Sequence, residues 1–211
     1  MYTQWMPVEV FADVACPFTH IGLLRFIEER DRRGRSDVRL VVRSWPLEMV
    51  NGRPLDPAFI AEEIDEIRPQ VDRDYFGGFD PATFPSSSVP AMALAAAAYA
   101  AGEGTGEEVS IELRRLLFCD GTDIADPAVL DGVARRFGVA FDAGDRAAQT
   151  AAVSADYERG RQLGVTGSPH FFTSTGDFFC PALSVGRNED GHLVVSADEE
   201  SFAEFVEACL R

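Results

Sequence analysis

The 211-residue sequence predicts an α/β fold whose sheet is divided by a long all-helical block. Three observations predict it. A Val- and Phe-rich segment, a helix and a β-branched segment follow one another at the start. No β pattern occurs between about 55 and 165. Short apolar β segments return after residue 169 and lead into a terminal amphipathic helix.

The segment "VEVFADVA" (8–15) reads as a buried strand. Cys16 then opens a helix, with Pro17 in the first turn, where a missing N–H costs nothing. Leu23, Leu24, Phe26 and Ile27 give this helix an apolar face, and "EERDRRGR" (28–35) carries it into solvent. "VRLVVRSWPL" (38–47) is β-branched and reads as a second strand, completing a right-handed βαβ unit. After Asn51-Gly52 the pattern turns helical: "DPAFIAEEIDEIRPQV" (56–71) starts on an Asp cap. A Gly/Pro-rich loop (75–85) follows, then helices over 86–102, 106–121, 126–139 and 144–165. β signals resume in "HFFTS" (170–174), "DFFCPALSV" (177–185) and "HLVVS" (192–196). The last helix, 198–211, has the acidic first turn that the helix dipole favours. The expected division is a discontinuous sheet domain, 1–52 plus 166–211, with a helical insertion over 53–165.

Composition excludes several functions. The formal charge of −16 disfavours nucleic acid and anionic membranes as partners. All 19 basic residues are arginine, so there is no Schiff-base lysine and no P-loop lysine. The N-terminus lacks the pattern of a secretory signal, and "AMALAAAAYAA" (91–101) is too short to span a bilayer. A cytoplasmic location is expected, with Cys16, Cys119, Cys180 and Cys209 reduced. Their spacing fits no zinc pattern, and no metal site is expected. The acidic residues read as solvated helix faces.

Two segments carry chemistry. "CPFT" (16–19) places Cys16 at a strand-to-helix junction, where helix N–H groups and the dipole favour a thiolate. That setting lowers a thiol from about 8.5 to roughly 3.5–7.5. "GVTGSPHFF" (164–172) places Ser168-Pro169 before a strand, a setting suited to a cis peptide bond. The expected architecture is thus a thioredoxin-like sheet split by a helical insertion.

With its helical insertion, the pair of motifs resembles the DsbA family of thioredoxin-fold proteins. The FrnE-like branch and the related 2-hydroxychromene-2-carboxylate isomerases are the nearest in flavour. "CPFTHIG" (16–22) combines the first cysteine of the oxidoreductases with the fourth-position hydroxyl of the isomerases. The resemblance implies that Cys16 is the attacking thiol and that Thr19 occupies the resolving-cysteine position. It further implies that Pro169 is the cis-proline and that Ser168 offers its backbone to substrate. Pro17, Phe18 and His170 belong to the expected substrate-binding set, and His20 to the catalytic set, where relatives often carry tyrosine. Thr19 cannot close a disulfide, so a mixed disulfide at Cys16 needs an outside thiol or a distant cysteine for release. Cys180 is the candidate resolver.

Bland alternatives stand beside these readings. Cys16 and Cys180 are also compatible with buried structural thiols, Thr19 with an ordinary helix position, and His20 and His170 with core packing. Tyr75, Phe76, Phe79 and Phe84 fit either a pocket lining or a packed lid, and Trp45 either a site flank or a sheet cap. The leading expectation is a thiol–disulfide oxidoreductase acting through one active-site cysteine. The alternatives are a small-thiol-dependent isomerase or transferase and a non-catalytic binding module. No tightly bound cofactor is expected. The expected partners are a small disulfide and a low-molecular-weight thiol such as glutathione, and a homodimer is left open.

Overall fold

The computed structural model describes residues 8–211; residues 1–7, part of the expected 1–52 stretch of the sheet domain and of the reading of the N-terminus, lie outside the described residues. Strand β1 (Val8–Ala12), helix α1 (Pro17–Arg32) and strand β2 (Leu40–Ser44) form the expected parallel βαβ unit. Strand β3 (His170–Thr173) adds antiparallel to the other side of β1, and β4 (Gly176–Phe179) follows β3 in a hairpin. The sheet order is β2-β1-β3-β4. The remaining strands, β5 (Leu183–Arg187) and β6 (Leu193–Ala197), pair only with each other among the described residues.

The apolar run 177–185, read as one strand, is therefore two. Cys180 breaks it with a left-handed φ of 45°, and Pro181 has no N–H for a ladder. The helical block holds α2 (Leu47–Asn51), α3 (Pro57–Ile67), α4 (Val89–Ala101), α5 (Glu103–Phe118), α6 (Pro127–Phe137) and α7 (Arg146–Leu163). Five-residue α2 is absent from the sequence reading, because it is too short to show a period. Asp56 and Asp126 cap α3 and α6 by accepting the N–H two residues on. Helix α8 (Glu199–Leu210) closes the chain, capped by Asp198.

The core is continuous across the sheet and the helical block. Beneath the sheet Phe205 of α8 meets Phe26 of α1 at 5.4 Å and Phe171 of β3 at 4.5 Å. On the opposite face Trp45 packs on Tyr157 at 4.9 Å and caps the sheet. There Gly160 of α7 is required, since a β-carbon would lie 2.7 Å from the Trp45 ring. Among the described residues no helix is long and apolar enough to cross a membrane.

Polar contacts fix the helical block to the strands. Glu107 of α5 accepts from Arg30 at 2.8 Å and from the Leu40 N–H at 2.7 Å, with both charged side chains buried. Asp156 of α7 accepts the Ser44 N–H at 2.9 Å. Removing one member of a buried pair leaves the other charge unpaired, which costs about 3–5 kcal/mol. Glu107→Ala is expected to lower the unfolding free energy by that amount in a urea titration, with one cooperative transition. A change under about 1 kcal/mol, the value of a surface pair, would show that Glu107 does not join the two parts.

Candidate active site

The site lies where the ends of three segments converge. β1 runs through Asp13 into the turn before α1, β3 begins at the Ser168-Pro169 bond, and α1 begins at Cys16. Phe11 pairs with His170, so continuing that register sets Asp13 against Ser168. The Asp13 N–H donates to Ser168 Oγ at 2.9 Å. Ser168-Pro169 is cis. Helix α1 packs against this segment at Gly22, where a β-carbon would make ordinary contact, 3.8 Å, with Pro169 and the Phe171 ring.

Ser168 contacts both ends of the CPFT segment. Its carbonyl accepts the Cys16 thiol at 3.3 Å, and its hydroxyl lies 2.8 Å from Thr19 Oγ1. Because Ser168 Oγ already accepts from Asp13, its own hydrogen is available to Thr19. Thr19 therefore fills the second-thiol position with a hydroxyl tied to the cis-proline segment. Both Cys16 and Thr19 are buried, at 3% and 0% exposure.

Asp13 holds the turn from beneath. One carboxylate oxygen accepts the Ala15 N–H at 2.8 Å. The other accepts the Leu47 N–H at 2.7 Å and the Ser88 hydroxyl at 3.0 Å. Arg114 of α5, also buried, donates to the Asp13 carbonyl at 3.2 Å and to Ser110 at 2.7 Å. Burial pushes the Arg114 guanidinium down to about 10, against the pull of nearby Tyr99, Asp13 and Cys16. It stays cationic at neutral pH. Neither Asp13 nor Arg114 appeared in the sequence reading.

The electrostatics reverse one expectation. Cys16 was expected to be a stabilised thiolate; burial instead pushes its thiol up to about 11, and the Glu63 charge adds to that. The Thr19 and Ser168 hydroxyls and the Thr19 N–H pull the other way and lose. Desolvation of a closed site outweighs the helix N-terminus. Glu63, on α3, departs from the expected solvated face: burial raises its carboxyl to about 7, opposed by Arg187. Its charge acts on both Cys16 and Cys180.

His20 is engaged elsewhere. Its ring packs on Phe118 at 4.8 Å and Phe76 at 5.5 Å, and Nε2 lies 3.0 Å from the Tyr75 carbonyl, to which it donates. Burial lowers its pKa to about 3, so it is neutral and cannot supply a cation to the sulfur. Tyr75, Phe76 and Phe84 are buried in this aromatic core. Pro17 and Phe18 are buried as well. His170 clamps the segment around the cis bond: Nδ1 accepts the Thr166 N–H at 3.2 Å and Nε2 lies 2.8 Å from Asp177. Cys180 abuts the site, its N–H donating to the Pro169 carbonyl at 3.0 Å. Cys119 bonds the Tyr75 carbonyl at 3.4 Å and Cys209 lies in the core.

With Cys119, Cys180 and Cys209 replaced, the iodoacetamide rate at Cys16 is expected to keep rising beyond pH 9, since only about 1 in 1000 molecules is ionised at pH 8 when the pKa is about 11. Glu63→Gln, which removes a neighbouring negative charge, is expected to move that profile to lower pH. A plateau near pH 7 in the unaltered site would contradict the burial argument.

Solved structures share this arrangement of elements. A provisionally named protein disulfide isomerase from Nitrosomonas europaea matches at TM-score 0.60 and 16% identity, over 96% of this chain and 97% of its own. A 2-hydroxychromene-2-carboxylate isomerase matches at TM-score 0.57 and 13% identity, over 82% of this chain and 88% of its own. The cytosolic disulfide reductase DsbM from Pseudomonas aeruginosa, solved with GSH, matches at TM-score 0.57 and 16% identity, with the same coverage of 82% and 88%. At these identities the likeness is one of fold. No curated protein matches the sequence. The profile of the DSBA-like thioredoxin domain matches residues 7–187, most of the chain, and the protein is a member of that family.

Proposed function

We propose that this protein is a thiol–disulfide oxidoreductase that works through Cys16 and draws its electrons from a low-molecular-weight thiol of the glutathione class. The observation that carries the reading is the position of the Cys16 sulfur, 3.3 Å from the Ser168 carbonyl beside the cis-proline, at the start of α1. The family membership and the disulfide reductase among the structural neighbours support it.

At rest the thiol is neutral and its hydrogen is bonded to Ser168. Exchange begins when Cys16 loses that proton, and Glu63, with its carboxyl raised to about 7, is the nearby group suited to receive it. The Cys16 sulfur attacks a substrate disulfide, R–S–S–R′, forming Cys16–S–S–R and releasing R′–SH once its sulfur is protonated. Cys16 now has no S–H, so the Ser168 carbonyl is free to accept an N–H from the bound substrate. Two small thiols complete the cycle: they become a small disulfide, and R–SH and the Cys16 thiol are restored. The net reaction is one substrate disulfide and two small thiols going to two substrate thiols and one small disulfide. The protein is proposed to act in the cytoplasm, where such thiols are plentiful.

One observation favours a second reading, a small-thiol-dependent isomerase or transferase. The Cys16 sulfur is neutral and faces two hydroxyls, an environment that suits binding a thiol conjugate as well as exchanging with one. The assay that separates them follows reduction of a mixed disulfide of glutathione by excess glutathione. Wild-type protein is expected to accelerate it, and Cys16→Ser to lose at least about 100-fold, the order of effect expected on removing a nucleophile. Equal rates for the two proteins would overturn the oxidoreductase reading and leave the conjugate-binding one.

A further inference from the structure

We propose that Cys180 is the resolving nucleophile of this site and that the enzyme cycles through a Cys16–Cys180 disulfide across the cis-proline, in place of a disulfide within the CPFT segment. The inference rests on the proposed exchange at Cys16. It adds which thiol ends the mixed disulfide and makes a dithiol enzyme of a sequence with a single cysteine in its motif.

The register of β4 and the Cys16–Ser168 contact place the two cysteines at one end of the sheet. His170 pairs with Phe179 in the β3–β4 ladder, so the next pair is Pro169 with Cys180. Only half of that pair's hydrogen bonding is made: the Cys180 N–H donates to the Pro169 carbonyl at 3.0 Å, and proline has no N–H to return. In a pair of this kind the α-carbons are about 5.5 Å apart. The Cys16 thiol is bonded to the neighbouring carbonyl, that of Ser168, at 3.3 Å. Cys16, through its thiol, and Cys180, through its backbone N–H, are therefore held by consecutive carbonyls of the same two-residue segment. Burial pushes the Cys180 thiol up to about 12, and the charges of Cys16 and Glu63 add to that, so the two sulfurs and Glu63 act on one another.

The backbone at Cys180 is the second observation. It has a φ of 45°, and among the described residues it is the one non-glycine residue with positive φ. Glycine or asparagine is the ordinary occupant of such a position. Cysteine stands where its conformation is disfavoured, at the turn where β4 leaves the sheet. Gly167 crowds the same corner, where a β-carbon would meet the Phe179 ring at 2.6 Å. Cys180 is partly buried, between the closed setting of Cys16 and the surface.

The step balances. After Cys16 has formed Cys16–S–S–R, the Cys180 thiol gives up its proton and attacks the Cys16 sulfur. The S–S bond to R breaks, R–SH leaves after taking a proton, and Cys16–S–S–Cys180 remains. The enzyme has given two electrons to the substrate disulfide. Two thiols of the glutathione class then restore both cysteines and leave as their own disulfide.

Trypsin separates the four cysteines, because it cleaves after arginine: Cys16 falls in peptide 1–25, Cys119 in 116–135, Cys180 in 162–187 and Cys209 in 188–211. Reduced wild-type protein is treated with oxidised glutathione at pH 8, alkylated and mapped without reductant by mass spectrometry. The expected result is peptide 1–25 joined to 162–187, with no glutathione retained on Cys16. In Cys180→Ala the crosslink is lost and the glutathione adduct on Cys16 accumulates. A stable adduct on Cys16 of the wild-type protein, with Cys180 alkylated, would overturn the resolving role and leave exchange at Cys16 intact. A Cys16 found only alkylated in both proteins would overturn the exchange reading and this inference with it.

Discussion

The organisation of the site depends on one residue's contacts. Ser168 presents its carbonyl to the Cys16 thiol and its hydroxyl to Thr19 and to the Asp13 N–H. Through it the start of β3 is tied to the end of β1 and to the first turn of α1. Those contacts join residues about 150 positions apart in sequence, so the helical block between them must return the chain accurately. Glu107, Asp156 and Arg114 do that, each bonding a group in or beside the first βαβ unit. Hydrogen bonds to charged partners contribute roughly 1.5–3 kcal/mol each. The set gives the insertion a fixed seat, and the thiol a fixed setting.

That setting opposes two physical effects. The N-terminus of α1 and two hydroxyls favour a Cys16 anion, while a closed, nearly anhydrous surrounding and the Glu63 carboxylate oppose it. Desolvation of a fully buried group costs its charged form as much as about 4–7 kcal/mol, whereas a helix terminus contributes about 0.3–1 kcal/mol at an exposed site. The larger effect wins, and the resting thiol is neutral. Arg114 moderates the outcome, since its buried cation lies near both Asp13 and Cys16. A reactive sulfur kept neutral until a partner arrives is guarded against casual oxidation, because the thiolate is the reactive form.

The sequence made the fold legible through its order of periods: period-2 and continuous apolar runs at the ends, helical periods between them. Cys16, Pro17 and Pro169 were readable because proline and glycine constrain the backbone locally. What stayed hidden depends on packing. The run 177–185 carries no sign that Cys180 turns left-handed, except the proline behind it. Glu63 sits three residues after Ile60 and four before Ile67, both buried, so its place beside the apolar stripe of α3 was available as a signal. Arg114 likewise shares a face with Ser110 and Leu117, while adjacent Arg115 faces solvent and pairs with Glu112 and Asp120. His20 shows the opposite case: the resemblance set it in the catalytic set, yet the aromatic residues of the insertion hold its ring, as the core-packing alternative had it.

The account's central claim is a change of partner at Ser168: its carbonyl holds the thiol at rest and passes to the substrate once Cys16 enters a disulfide. The direct measurement is a crystal structure of the Cys180→Ala protein carrying glutathione on Cys16. The account predicts an amide N–H of the tripeptide within hydrogen-bond distance of the Ser168 carbonyl, with the Asp13 and Thr19 contacts to its hydroxyl kept. A tripeptide extending into solvent with that carbonyl unbonded, or α1 displaced from Ser168, would contradict it.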